Sequence, residues 1–191
     1  MPYGERFEHA LLYAAQLHRD QVRKGTSTPY ITHLLAVASI VGENGGTEDE
    51  VVAALLHDAP EDQGGEVRLR EIRAQFGDGI AEIVEGCSDT FETPKPPWRE
   101  RKERYLAHLE DASGSVRLVS SSDKLHNART VLSDYRLLGE DLWTRFNGKK
   151  TGTLWYYRAI VDTLQGDGPV VEELDRVVRK LEMLSNKTGA P

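Results

Sequence analysis

Apolar residues recur at intervals of three and four through almost the whole chain, and no pair of alternating strand-like runs flanks a tight hairpin turn. The pattern predicts an all-α protein with helices over roughly residues 5–19, 32–43, 48–59, 67–76, 78–88, 98–111, 115–135, 151–165 and 169–185. Several boundaries carry a physical signal. Thr47 followed by Glu50 reads as a capping box ahead of VVAALLHD, Gly77 stops LREIRAQF, and Pro169 stands where a last helix would begin. The stretch TFETPKPPW, with its three prolines, cannot continue a helix and is expected to be a loop. Neither an internal repeat nor a low-complexity tract interrupts the pattern. The expectation is a single-domain helical bundle of about nine or ten helices over residues 1–191, with a core at about 5–165 and a C-terminal helix at about 169–185.

Polar residues that break this pattern are the informative ones. In AALLHDAPED an apolar helix runs straight into His57, Asp58, Glu61 and Asp62. Charged side chains inside a helical core are costly unless they are paired or coordinate a metal. Two further candidates lie where burial is expected: His33, at the front of ITHLLAVASIV, and Asp123, in RLVSSSDKLHNART beside Leu118, Val119 and Leu125. Singly, each reads as a core histidine or a helix-pairing aspartate. Together, two imidazoles and two carboxylates around an adjacent His-Asp pair make a ligand set for one divalent cation. The absence of thiolate leans toward the harder ions, with Mn²⁺ the first expectation and other divalent cations possible. Because these residues fall on three helices, dividing the chain would divide the site. Glu61 and Asp62 follow by about one helical turn, where a carboxylate could serve water as a base.

Composition narrows the function classes. The 191 residues are 39% hydrophobic and 29% charged, with a formal charge of −7 and no apolar run long enough to cross a bilayer. An acidic chain is a poor grip for long nucleic acid. The opening MPYGERFEHALLYAAQLHRD does not read as a secretory signal, so the cytoplasm is the expected location. Cys87, the sole cysteine, cannot form an internal disulfide and is given no role. An anionic ligand would need local positive charge, for which Arg23, Lys24, Lys124, Arg129, Lys149 and Lys150 are the places to look.

His33, LLHDAPED and SDKLHNART together resemble the HD-superfamily phosphohydrolases. More narrowly, RKGTSTPYITH and FGDGIAEIVEGCSDT resemble the Rel/Spo hydrolase domain and the stand-alone small alarmone hydrolases, over about Phe7 to Arg136. The resemblance implies that His33, His57, Asp58 and Asp123 hold manganese, and that Glu61 and Asp62 position or deprotonate the attacking water. The substrate it implies is a guanosine alarmone, cleaved at its 3′-pyrophosphate. Arg23 would contact the nucleobase with Lys24 nearby, Asn127 would lie near the ribose and Thr130 near the base, and Lys124 joins them as a substrate contact. Pro60 and the serines before Asp123 depart from the relatives' aliphatic residues. Proline there predicts a broken helix.

In FNGKKTGTLWYYRAIV, Lys150 with Lys149 and Arg158 is expected over phosphate oxygens, and Trp155, Tyr156 and Tyr157 in the core. His126 is a candidate neighbour of the ligands, while His9, His18 and His108 read as ordinary packing. The expected function is therefore Mn²⁺-dependent hydrolysis of a guanosine or adenosine alarmone. The alternatives are another nucleotide or phosphomonoester as substrate, or a sensing module that binds without cutting. A small nucleotide is the expected partner, with no membrane and no long nucleic acid; a homo-oligomer is left open. Too few residues follow Arg136 for a synthetase-like unit, so degradation without synthesis is expected.

Overall fold

The computed structural model describes residues 3–92 and 94–187. In chain order its helices are α1 (Glu5–Leu17), α2 (Ile31–Glu43), α3 (Glu48–Leu56), α4 (Ala59–Asp62), α5 (Gly65–Phe76), α6 (Asp78–Cys87), α7 (Trp98–Glu110), α8 (Gly114–Leu138), α9 (Lys149–Thr163) and α10 (Pro169–Lys187), with a 3₁₀ helix at Gly139–Arg145 between α8 and α9. Among the described residues there is no strand, only an isolated bridge between Val22 and Pro29. The all-α bundle expected from the pattern is the fold observed. No helix among the described residues is long and apolar enough to cross a membrane.

Helix α3 is the hub. Val51 through Leu56 are all buried, as an all-round apolar helix requires, and α3 packs against α1, α2, α6 and α8. Its start is fixed by the capping box: Thr47 Oγ1 accepts from the Glu50 amide at 3.3 Å, and the Thr47 amide donates to Glu50 Oε2 at 2.7 Å. Its end is fixed by Pro60, which has no amide hydrogen to continue the ladder. The chain restarts as the four-residue α4 with Asp58 as its cap, and the Asp62 amide donates to the Asp58 carbonyl at 3.0 Å. The predicted helix 48–59 is thus cut short, leaving His57 and Asp58 at the joint.

Gly77 ends α5 at φ +95°, a conformation that L side chains rarely adopt, and its amide donates to Arg73 O at 3.0 Å. Helix α8 runs three residues past its predicted end, and inside it Ser120, Ser121 and Ser122 are buried yet satisfied. Ser121 and Ser122 donate back to the Leu118 carbonyl at 3.0 and 2.8 Å, and Ser120 Oγ meets the Tyr105 hydroxyl at 2.8 Å. The 3₁₀ helix had no signal in the periodicity, being one short turn sequence after Gly139 (φ +58°). Helix α9 begins two residues before its predicted start, and α10 begins at Pro169 as expected and lies along α8.

Candidate metal centre

Three elements bring the four ligand candidates together: the first turn of α2 brings His33, the α3–α4 joint brings His57 and Asp58, and the middle of α8 brings Asp123; donor atoms of His33, His57 and Asp58 all lie within 4.8 Å of one another, and Asp123 adjoins them through the two imidazoles. His33 Nε2 lies 3.3 Å from Asp58 Oδ2 and 3.2 Å from Asp123 Oδ1; His57 Nε2 lies 3.1 and 3.7 Å from the same atoms. A cation bonded at about 2.0–2.2 Å to nitrogen and oxygen donors separates neighbouring donors by about 3.0–3.5 Å, close to this spacing. Both Nε2 atoms are buried and have no hydrogen-bond partner, although each ring is otherwise anchored. Orphaned lone pairs facing two carboxylates are what a divalent cation needs, so the residues present fit one.

The outer contacts fix the ring tautomers. His57 Nδ1–H donates to the Ala54 carbonyl at 2.8 Å, which leaves Nε2 free to ligate. His33 Nδ1 meets His126 Nδ1 at 2.7 Å. Burial, then the neighbouring His33 and Arg23, lower the pKa of His126 to about 4, so His126 is neutral and accepts the His33 proton. His126 is therefore in direct contact with a ligand candidate, His33. An alanine at 126 is expected to weaken metal affinity about 10- to 100-fold with helicity unchanged, checked by metal titration alongside circular dichroism.

The charges around the centre show how strongly the two carboxylates attract positive charge, which a proton or a cation on the imidazole side can supply. Burial resists ionisation of Asp58, but the His57 charge and the closeness of both imidazoles hold its carboxyl well below the ordinary range. Burial likewise opposes the charged form of His57, and Asp58 and Asp123 outweigh it. Asp123 is pushed up by burial and held down more strongly by Lys124, its ion-pair partner. The Tyr30 hydroxyl donates to Asp58 Oδ2 at 2.7 Å, and burial beside that carboxylate keeps the phenol protonated.

The ligand candidates do not themselves line the neighbouring cavity of about 670 Å³, but residues beside them in the chain do: its lining includes Arg23, Lys24, Glu61, Asp62, Lys124, Asn127 and Thr130. Asp62 accepts from Gln21 Nε2 at 2.7 Å, and Gln21 is held in turn by His18 (2.7 Å) and Gln63 (2.9 Å). His18 is thus more than the packing residue expected. Glu61 pairs with Lys95 at 3.1 Å. Burial raises the pKa of both Glu61 and Asp62; Asp89 adds to the effect at Glu61, and Asp58 at Asp62. Arg23 lies 5.7 Å from the Tyr30 ring centroid and donates to Asn127 Oδ1 at 2.6 Å, while Asn127 Nδ2 donates to Asp123 Oδ1. Asn127 therefore links the Arg23 loop to a metal-ligand candidate. Thr130 lines the cavity with its hydroxyl bonded back to the His126 carbonyl.

Lys150 is not brought into this site. Its ammonium donates to Glu140 at 2.8 Å and to the Ser185 carbonyl at 2.7 Å, facing α10 instead of the cavity. Arg158 is likewise held by Glu182 and Asp175, Arg129 lies 3.7 Å from Glu173, and Lys149 does not line the cavity. To the expected Arg23, Lys24 and Lys124 the cavity's basic wall adds residues not among the sequence candidates: Arg101 and Lys102 on α7, both paired to Asp89, and Arg145 at the end of the 3₁₀ helix. The only sequence signals for them were the charge run RERKER and Asp89 within CSDT. Trp98, Tyr156 and Tyr157 also line the cavity, so the aromatic head of α9 is partly wall and partly core.

A family model described as an HD domain matches residues 10–154. The chain belongs to the HD domain family. Among curated relatives of this HD protein, guanosine-3′,5′-bis(diphosphate) 3′-pyrophosphohydrolase MESH1 of Xenopus tropicalis is 41% identical over 122 residues, 62% of this chain and 65% of the relative. The protein of Aquifex aeolicus with the same enzyme name is 35% identical over 133 residues, 68% of this chain but 18% of that one. The chain thus spans less than two thirds of the length of these curated relatives. A solved structure described as "A metazoan ortholog of SpoT hydrolyzes ppGpp and plays a role in starvation responses" superposes with a TM-score of 0.80 at 26% identity, covering 96% of this chain and 99% of the other.

Proposed function

We propose that this HD protein hydrolyses the 3′-pyrophosphate of a guanosine alarmone such as guanosine-3′,5′-bis(diphosphate), with Mn²⁺ as its cation, releasing pyrophosphate and a nucleoside 5′-di- or triphosphate. The observation that carries the reading is the gathering of His33, His57, Asp58 and Asp123 next to a cavity lined by a carboxylate pair, Glu61 and Asp62, and by a cationic wall. The enzyme names of the Xenopus and Aquifex relatives support the substrate class.

A divalent cation bound there supplies positive charge to phosphoryl oxygens and acidifies water. Everything else falls to the chain. Glu61 and Asp62, whose proton affinity is raised by burial, take or orient the proton of the attacking water, and Gln21 fixes the rotamer of Asp62. Lys124, Arg101 and Lys102 balance the charge of the phosphates, with Asp89 holding the latter two in place. Arg23, braced between Tyr30 and Asn127, presents a planar guanidinium on which a base can stack. Lys24, Asn127 and Thr130 complete the substrate contacts, the chain acts as a single hydrolase domain, and the cytoplasm is its setting.

The test is pyrophosphate release from guanosine-3′,5′-bis(diphosphate), followed colorimetrically with and without Mn²⁺. Release that requires the metal is the expected result. Release no greater than that of a His57→Ala, Asp58→Ala control would overturn the assignment.

A further inference from the structure

At the end of the cavity away from the metal ligands, Asp134 and Arg145 face one another. Arg145 Nη1 lies 3.2 Å from Asp134 Oδ2, both side chains are about a quarter exposed (25% and 27%), and both line the cavity. Arg145 also lies flat against the backbone of the Arg23 turn: a Cβ on Gly25 (φ +74°) would stand 2.8 Å from Arg145 Cδ and Nε. Glycine is therefore required at 25 by both its conformation and its neighbour. Arg145 is seated on the very turn that presents Arg23.

The placement along α8 matters as well. Asn127, Thr130 and Asp134 line the cavity from α8, and Asp123 precedes them at helical spacing on the same face. Eleven residues of α-helix separate Asp123 from Asp134 by about 16 Å along the axis. That span suits a nucleoside 3′-phosphate with its phosphorus at the ligand end and its base at the far end, the side chains making up the difference.

We propose that Asp134 and Arg145 read the edge of the base and select guanine over adenine. This rests on the nucleotide reading above and adds the base to it. Guanine presents two adjacent donors, N1–H and the 2-amino group, next to the acceptors O6 and N7. A carboxylate accepts from the first pair, and a guanidinium donates to the second, as arginine does to guanine in duplex recognition. Adenine reverses the order. Its N1 is a lone pair that would meet the Asp134 carboxylate, and its 6-amino group is a donor that would meet the Arg145 donors, so both protein groups would lose their partners on binding it. Each group serves the other when the cavity holds no base, which explains why a carboxylate and a guanidinium are paired at the lip of a cavity that must otherwise attract phosphate.

The test uses nucleotides that cannot undergo the proposed cleavage. Equilibrium binding of guanosine, inosine and adenosine 5′-diphosphates to Mn²⁺-loaded protein is measured for the wild type, Asp134→Asn and Arg145→Met. The wild type is expected to favour the guanosine form over the adenosine form about tenfold to a hundredfold, with inosine, which lacks the 2-amino group, in between. Asp134→Asn replaces an acceptor pair with one acceptor and one donor, and is expected to bring the ratio near one. Arg145→Met weakens the guanosine form more than the adenosine form. A purely structural ion pair would lower all three affinities together and leave their ratios unchanged, and that result overturns the inference. So does a wild type with no preference, which needs no variant to observe. Absent turnover of the alarmone with the base ratio intact would sink the hydrolase reading and leave this one standing.

Discussion

Replacing His57 with alanine will abolish pyrophosphate release and strip the protein of its metal while leaving its helices in place. His57 is anchored at Nδ1 by the Ala54 carbonyl and contributes nothing else at Nε2 that the fold uses, since that atom has no hydrogen-bond partner. Its loss removes one of the four candidate donors and the imidazole that lies near both Asp58 and Asp123, leaving the two carboxylates with less positive charge beside them. A cation that stabilises phosphoryl charge contributes several kcal/mol to the barrier, so a fall of about a thousandfold or more in kcat/KM is expected. The measurement pairs turnover with metal content by mass spectrometry of freshly purified protein. An alanine variant that keeps a full equivalent of metal and normal turnover would show that the four side chains do not act as a ligand set.

The second large effect belongs to the carboxylates of α4. Glu61→Gln and Asp62→Asn keep shape and remove the ability to take a proton. Each is expected to lower kcat by about 10²–10⁴-fold, the usual contribution of general acid–base catalysis, while metal content stays at the wild-type level. The contrast with His57→Ala is the informative part: one substitution removes metal and rate together, the others remove rate alone. Steady-state kinetics with metal analysis on the same samples separates them. If both isosteric variants retain full kcat, the water is activated without them.

The candidate ligand cluster could be picked out in the sequence because its residue types are costly to bury and therefore conspicuous in an apolar helix. His57 and Asp58 interrupt a run that is buried on all sides, and His33 and Asp123 sit among aliphatic residues. The break before Glu61 could be read for a similar reason: proline leaves few choices to the backbone. Cations gave the opposite experience. A lysine or arginine on a helix has many carboxylates within reach, and the sequence does not say which one it will meet. Lys150 found Glu140 and a carbonyl on α10, whereas Arg145, which attracted no notice, reached the cavity because the 3₁₀ helix turned it there. Arg101 and Lys102 depend on Asp89 more than ten residues away, a pairing that only the folded chain reveals.

Helix α8 runs unbroken from Gly114 to Leu138, with no proline or glycine between its first residue and its end. The stretch between Asp123 and Asp134 therefore has no hinge, and it acts as a gauge of fixed length. Inserting one residue within it would swing everything beyond by about 100° and advance it by about 1.5 Å. The two ends of the cavity would then no longer share a wall, even with each intact by itself. Point changes in the loops should be absorbed far more easily than any change of count in this rod.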